Sequence, residues 1–333
     1  MNRREILSLI ILVVVVSFAA YKYYTRSFTE TKSQYLMDTV VEISATSQNK
    51  NVGKQIDAVF AYIKNLDDKL NEYSGTSWLS KVNNSQQTTF DMDPDVYAML
   101  VIADSLYNLT HGAFDPTIKP VWDLWGFNSE SPTPPDSLEI KAELAKVGFD
   151  KIVFDKHKLV KPSDMQITLG ALAKGYILDK AYDFMQSKGL KSGYISCRSS
   201  IRFFGLSVPQ IVYVQHPRKS EDHIASFKID NQSIGTSGDY QQFYEIDGIR
   251  YHHIINAITG YPVPKVYSVT VQSPLAVWAD GLSTALFLLP PDEAIEVSKH
   301  FTDTNALIYY DRDGEIVSLK SMGFMDSELA EKL

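Results

Sequence analysis

The stretch Ala276–Leu289, AVWADGLSTALFLL, constrains the fold more than any other part of this chain. Leu282, Ala285, Leu286 and Leu289 recur at helical spacing and predict a buried amphipathic helix. Asp280 and Thr284 stand at i and i+4 within it, so their side chains stack on one face, a turn apart. Burying a carboxylate and a hydroxyl on an apolar helix is costly unless something hard and positive sits between them. Oxygen ligands at that spacing suit Mg²⁺, which takes one or two carboxylates and completes its shell with water and phosphate. The competing reading is a near-surface helix in which Asp280 is an early-turn anion and Thr284 bonds its own backbone.

The chain has 333 residues, 44% hydrophobic and 22% charged, which places it among folded globular proteins of one large domain or two modest ones. A net charge of −8 argues against a nucleic-acid partner, which requires a basic face. An acidic protein that handles an anionic substrate needs a local positive device: a metal, a lysine or a helix N-terminus. Residues 1–26 carry Arg3 and Arg4, then an apolar run from about Ile6 to Ala20. That run suits a signal peptide, with Ser17-Phe18-Ala19 for cleavage. Tyr21, Lys22, Tyr23, Tyr24 and Arg26 after it suit the interfacial belt of an uncleaved membrane anchor instead. Either way the body is expected to be exported, or tethered on the outer face of an inner membrane. Cys197 is the only cysteine, so no internal disulfide contributes to stability.

Residues 27–34 read as a polar linker and 35–333 as the functional domain. Tyr35–Ala45 reads as a strand, Val52–Asn71 as a helix, Tyr73–Gln87 as a polar loop, and Asp93-Pro94 opens a helix to about Thr110. His111–Phe127 is irregular, and Asp136 caps a helix to Val147. A strand Met165–Leu169 runs through Gly170 into a helix closed by Gly189. From Gly193 onward strands dominate, with a hairpin on Asp247-Gly248, a strand Val266–Gln272 and a last hairpin on Asp313-Gly314. Helices and hairpins in blocks, without strict alternation, predict an α+β fold of mostly antiparallel sheets packed with helices.

Three further segments carry candidate chemistry. ITLGALAKGY, Ile167–Tyr176, leads a strand into a helix whose first turn holds Lys174, a place for phosphate. HGAFDPT, with Trp122 and Trp125 nearby, offers either a slot for a flat ring or a cluster of core aromatics. His252 and His253 must face opposite sides of a strand, so His253 is either a general base or a hydrogen-bonded structural histidine.

The joint order of the motifs is more specific than any one of them. Met37-Asp38-Thr39, the Tyr73 loop with Ser77, Gly112–Thr117, Trp125–Phe127, Leu169–Tyr176, Ser237–Tyr240, His253–Pro262 and Ala279–Thr284 together resemble the ApbE family. These are FAD:protein FMN transferases, also known as flavin-trafficking proteins. The resemblance spans nearly all of residues 30–325. It implies a T-fold-like α+β architecture and Mg²⁺-dependent cleavage of the FAD pyrophosphate. FMN would pass to a Thr or Ser hydroxyl of a flavin-acceptor protein, such as a membrane redox subunit, with release of AMP. By the same resemblance Met37, Tyr73, Ala113, Phe114, Asp115, Thr168, Lys174 and Ile255 would line the FAD site. The Ala171 carbonyl, Asp280, Ser283 and Thr284 would hold the metal, and His253 would be the base.

Three positions depart from the family pattern: Thr168 stands for an expected aspartate, Arg198-Ser199-Ser200 for Gly-Gly-Asp or Gly-Gly-Asn, and Asn256-Ala257 for Asp-Pro. The same site would also serve an FAD pyrophosphatase using water as acceptor, or a membrane-anchored flavin-binding protein whose catalysis has decayed.

Overall fold

The computed structural model describes residues 2–325. Its centre is an eight-stranded sheet of β1 (Phe28–Leu36), β2 (Thr39–Ser47), β3 (Ser192–Ser196), β4 (Ser200–Phe204), β5 (Ser233–Gly238), β6 (Val266–Ser273), β7 (Asn305–Arg312) and β8 (Glu315–Lys320). The spatial order follows the chain order and every neighbouring pair is antiparallel. The helices enter as insertions in this meander: α2 (Val52–Leu70), α3 (Pro94–Leu109) and α4 (Gly170–Ser187) between β2 and β3, and α5 (Ala276–Phe287) between β6 and β7. This is the antiparallel α+β arrangement that the block order of helices and strands predicts.

The alternation along β7 shows how the sheet separates two cores. Ala306, Ile308 and Tyr310 face the main core with α2, α3, α4 and α5. Leu307 and Tyr309 face a second core, where Val214, Ile224 and Phe227 of the hairpin Gln210–His216/Lys219–Ile229 cover the opposite face. A third cluster gathers Val121, Trp125, Ile140 and Ile255 with Phe127, Tyr244 and Tyr251 beside the site.

Several expectations change. Residues 28–34 are not a linker: they form most of β1, paired in register with β2 from Phe28↔Ser47 to Leu36↔Thr39. An edge strand exposed on both faces needs no apolar alternation, and its inward Lys32 reaches the Asp57 carboxylate of α2 at 2.7 Å. Met37 and Asp38 form the two-residue turn of this hairpin, both with left-handed φ, +54° and +56°. The Met37 N–H donates to Asp67 Oδ2 at 3.0 Å, fixing that turn on α2.

The segment Met165–Leu169 is not a strand. Its backbone groups are served by the Asn83 side chain, which bonds both the N–H and the carbonyl of Ile167 at 2.8 Å, and by Pro116, whose carbonyl accepts from Thr168. The expected polar loop contains the helix Trp78–Asn83, capped by Ser77, and the irregular stretch contains a short helix, Lys119–Leu124. The N-terminal helix α1 (Arg3–Tyr24) runs through the tyrosines beyond the apolar run. Its 22 residues make it long and apolar enough to cross a membrane by length and composition. Three residues separate it from β1.

Candidate active site

Helix α5 is clamped between α4 and β5. Asp179 of α4 caps its start, accepting from the N–H groups of Ala276 at 2.9 Å and Val277 at 3.0 Å, and pairs with Arg202 at 2.6 Å. Four residues earlier on α4, the Gly175 N–H donates to Asp280 Oδ2 at 2.9 Å. In a regular helix that N–H would serve the Ala171 carbonyl. Asp280 Oδ1 accepts from Ser200 Oγ at 2.9 Å. Ser237 Oγ from β5 lies 2.8 Å from Ser283 Oγ and 3.0 Å from Thr284 Oγ1.

Asp280 is therefore bonded to the turn that carries Lys174, and Thr284 belongs to the hydroxyl cluster on the same helix. The stretch is a buried helix, as its apolar period predicts, not a near-surface one: Asp280 is 8% exposed and Ser283 is fully buried. Burial raises the Asp280 pKa above the usual carboxylate value, while Lys174, the Gly175 N–H and the Ser200 hydroxyl oppose that rise. All the donors here are oxygens, and one bears charge. Such a set fits a hard divalent cation that still accepts phosphate oxygens. Among the described residues no group of three or more His, Cys, Asp and Glu could hold a metal ion.

The two histidines separate by role. His252 lies 2.8 Å from the Val263 carbonyl through Nε2 and accepts from the Ile254 N–H at Nδ1, the fully used ring of a structural histidine. His253 Nδ1 lies 3.2 Å from the Gln242 carbonyl, which only accepts, so Nδ1 carries the proton and Nε2 the lone pair. Burial, His252 and Lys174 push its pKa down to about 4, so the ring is neutral at neutral pH. Lys174 acts electrostatically on both His253 and Asp280, which puts the histidine, the lysine and the carboxylate in one neighbourhood.

A cleft of about 580 Å³ is lined by Tyr73, Lys119, Trp122, Phe127, Asn128 and Gln166 among others, and none of His253, Lys174 and Asp280 lines it. Trp122 also donates from Nε1 to the His253 carbonyl at 3.0 Å, joining the cleft wall to the histidine strand. Trp125 does not line it: only 1% exposed, it packs with Phe127 and Tyr251 and donates to the Gly260 carbonyl. Trp125 thus belongs to the core cluster, whereas Trp122 packs against that cluster and lines the cleft.

The remaining predicted residues are placed as follows. Met37, Ala113, Phe114 and Ile255 are buried. The Ala113 carbonyl accepts from Ala257, tying the Gly112–Thr117 motif to the His253–Pro262 motif. Both Asp115 oxygens are engaged, by the N–H and hydroxyl of Thr117 and by the Phe149 N–H, so this carboxylate organises its loop. Asn256 Oδ1 accepts from Ile258 and Thr259, the turn-forming work an aspartate would do there. Arg198 adopts a left-handed φ of +63°, a backbone conformation that favours glycine. Ser200, Ser237, Glu72 and Lys119 were not among the predicted site residues. Ser200 and Ser237 lie inside quoted motifs, whereas nothing in the sequence pairs Glu72 with Lys119.

The family model described as the ApbE family matches residues 37–308. The chain belongs to the ApbE family. A Haemophilus influenzae protein named FAD:protein FMN transferase is 31% identical over 274 residues, covering 77% of this chain and 78% of its own. One of the same name from Treponema pallidum is 25% identical over 84% of both chains. Among solved structures, an ApbE protein from Thermotoga maritima superposes with a TM-score of 0.82 at 30% identity, covering 90% of this chain and 98% of that one. The flavin transferase ApbE from Vibrio cholerae gives a TM-score of 0.82 at 26% identity over 91% of this chain and all of that one.

Proposed function

We propose that this ApbE protein moves the FMN half of FAD onto a threonine or serine hydroxyl of a target protein and releases AMP. The observation that carries this reading is the Asp280 carboxylate bonded to the first turns of α4, with Ser237, Ser283 and Thr284 clustered beside it. Asp280, Thr284 and the Ala171 carbonyl, with Ser283 beside them, would hold Mg²⁺, which when bound supplies neutralisation of the charge developing on the bridging phosphate oxygen.

The chain's own residues do the rest. The Lys174 ammonium, near the start of α4, faces the pyrophosphate. Tyr73 and Thr168 meet the flavin half at the cleft, while Met37, Ala113, Phe114, Asp115 and Ile255 shape the walls from within. His253 Nε2 takes the proton of the acceptor hydroxyl. As that oxygen bonds to the FMN phosphorus, the bond to the AMP oxygen breaks and AMP leaves with the electron pair. A base neutral at working pH is competent for this step without first losing a proton.

Helix α1 supports export, as a signal or as an anchor holding the domain on the outer face of the inner membrane. An acceptor in a membrane redox subunit fits that tether. Purified residues 28–333 with FAD, Mg²⁺ and an acceptor protein are expected to give a covalently attached, fluorescent flavin band. Release of AMP and FMN with no labelled band would favour water as acceptor. FAD binding without turnover would make the chain a carrier.

A further inference from the structure

We propose that the end of the sheet nearest helix α1 sits on anionic phospholipid headgroups, so that the domain stands with its FAD site pointing away from the membrane. The inference rests on the reading of α1 as an anchor and deepens it. Residues 25–27 separate α1 from Phe28 of β1. Three residues reach at most about 10 Å, so an α1 that spans a bilayer keeps Phe28 at the headgroups.

Strand register extends that boundary across the whole sheet. Phe28 pairs with Ser47, Thr46 with Ser192 and Gly193 with Phe204. Arg202 then pairs with Ser233, Ser233 with Ser273, Gln272 with Asn305 and Leu307 with Lys320. These residues form one rim, and the connections 48–51, 188–191, 205–209, 230–232, 274–275 and 299–304 all leave from it. The opposite rim carries the Met37 turn and the Gly238–Ser268 pair next to Ser237. β1 has nine residues, about 30 Å of extended chain, which sets the height between the two rims. Helix α4 runs the same way, from the turn that bonds Asp280 down to Lys188.

The rim nearest α1 has the chemistry of a headgroup contact. The Ser47 hydroxyl donates to the Gly189 carbonyl at 3.0 Å and the Lys191 N–H to the Thr46 carbonyl at 2.8 Å, so the connections 48–51 and 188–191 lie together. They carry exposed Lys50, Lys188 and Lys191 and no acid, and exposed Lys22 and Arg26 adjoin them along the chain before Phe28. In a chain of net charge −8 this is a local reversal of sign. Elsewhere on the rim Asp230 and Asp303 are the acids of the connections, and Lys299 is paired with Glu296 at 2.5 Å. Positive charge is therefore concentrated beside the tether, where an anionic surface attracts it. Val208, 67% exposed, and Leu275, 43% exposed, add apolar side chains to the same rim, suited to the boundary between headgroups and acyl chains. Each lysine held at an anionic surface strengthens the contact about fivefold, and salt screens the effect.

The test places the full chain in vesicles of phosphatidylglycerol and phosphatidylcholine that carry nitroxide-labelled headgroups. A fluorophore is attached through Val208→Cys on the near rim or through Glu315→Cys, whose pairing with Arg312 puts it at the far end. Cys197 is buried and stays unlabelled. The nitroxides should quench the Val208 label at least about threefold more than the Glu315 label. That difference should shrink at least about threefold in pure phosphatidylcholine, in high salt, and in the variant Lys50→Gln/Lys188→Gln/Lys191→Gln, with the chain still in the bilayer. The salt and lipid arms use unaltered lysines, so a folding defect in the triple variant cannot imitate the result. Equal quenching at the two ends, or quenching at Val208 that ignores lipid charge and salt, would overturn the inference while leaving the anchor intact. A full chain that washes off the vesicles in high salt would overturn both.

Discussion

Two carboxylates of the same helix pair do opposite things, and their partners decide which. Asp179 spends both oxygens on the start of α5 and on Arg202, whose Nη1 also reaches the Pro274 carbonyl at 2.9 Å. Asp179→Ala is expected to cost roughly 2–4 kcal/mol, through a lost cap and a largely buried arginine left short of its counterion. Urea denaturation would measure it, and a change under about 0.5 kcal/mol would contradict the clamp. Asp280 instead binds the Gly175 N–H and the Ser200 hydroxyl, near Lys174. At His253 the shift carries a pH signature. The unfolded chain protonates it near the ordinary pKa of 6.5 and the folded chain only near 4, so between those values the unfolded state binds more protons. Stability should therefore fall as pH drops from 6.5 to 4, by roughly 3 kcal/mol from this group. His253→Gln should flatten that part of the stability–pH curve, and parallel curves for variant and parent would refute the assignment.

At the scale of elements, α5 is held by backbone contact on two sides, which only glycine allows. A Cβ at Gly175 of α4 would lie 2.3 Å from the Ala276 carbonyl oxygen and 2.8 Å from Asp280 Cβ, and one at Gly235 of β5 would lie 2.4 Å from the Ala279 carbonyl oxygen. Backbone cannot swing aside as a side-chain tip can. Gly175→Ala is thus expected to push α4 from α5, cost about 3 kcal/mol and displace Asp280 from the Gly175 N–H. Thermal melting together with FAD transfer would show both losses. Elements with strong local signals were legible in the sequence: α5 from its apolar period, α3 from Asp93-Pro94, the late hairpins from Asp-Gly. Elements defined by their neighbours were not. β1 carries FTETKSQYL, with no apolar alternation, because its partners are β2 and the side of α2. Met165–Leu169 has the composition of a strand, but the Asn83 side chain takes the bonds a neighbouring strand would make.

For the molecule as a whole, the site is assembled from both ends of the chain. Asp280 and His253 come from its last third, Thr168 and Lys174 from its middle, and most of the cleft from residues 72–129. Motif order made most of that set legible; the Glu72–Lys119 contact, 47 positions apart and without a local pattern, was not. The edge strand gives a test at this scale. Removing residues 2–27 should leave a folded, soluble domain, whereas removing 2–36 strips β1, bares β2 as a new edge and should yield aggregating protein. Size-exclusion chromatography of the two truncations distinguishes these outcomes, and equal behaviour would return residues 28–34 to the status of a linker. The central claim is that Asp280 beside the first turns of α4 is where the FAD pyrophosphate is broken. Mg²⁺-dependent labelling of an acceptor protein with fluorescent flavin, compared between the unmodified domain and Asp280→Ala, tests it most directly. The account predicts a labelled band for the first and at least a hundredfold loss for the folded variant, on the order of 3 kcal/mol of transition-state stabilisation. An Asp280→Ala protein that labels the acceptor at the parent rate would contradict it.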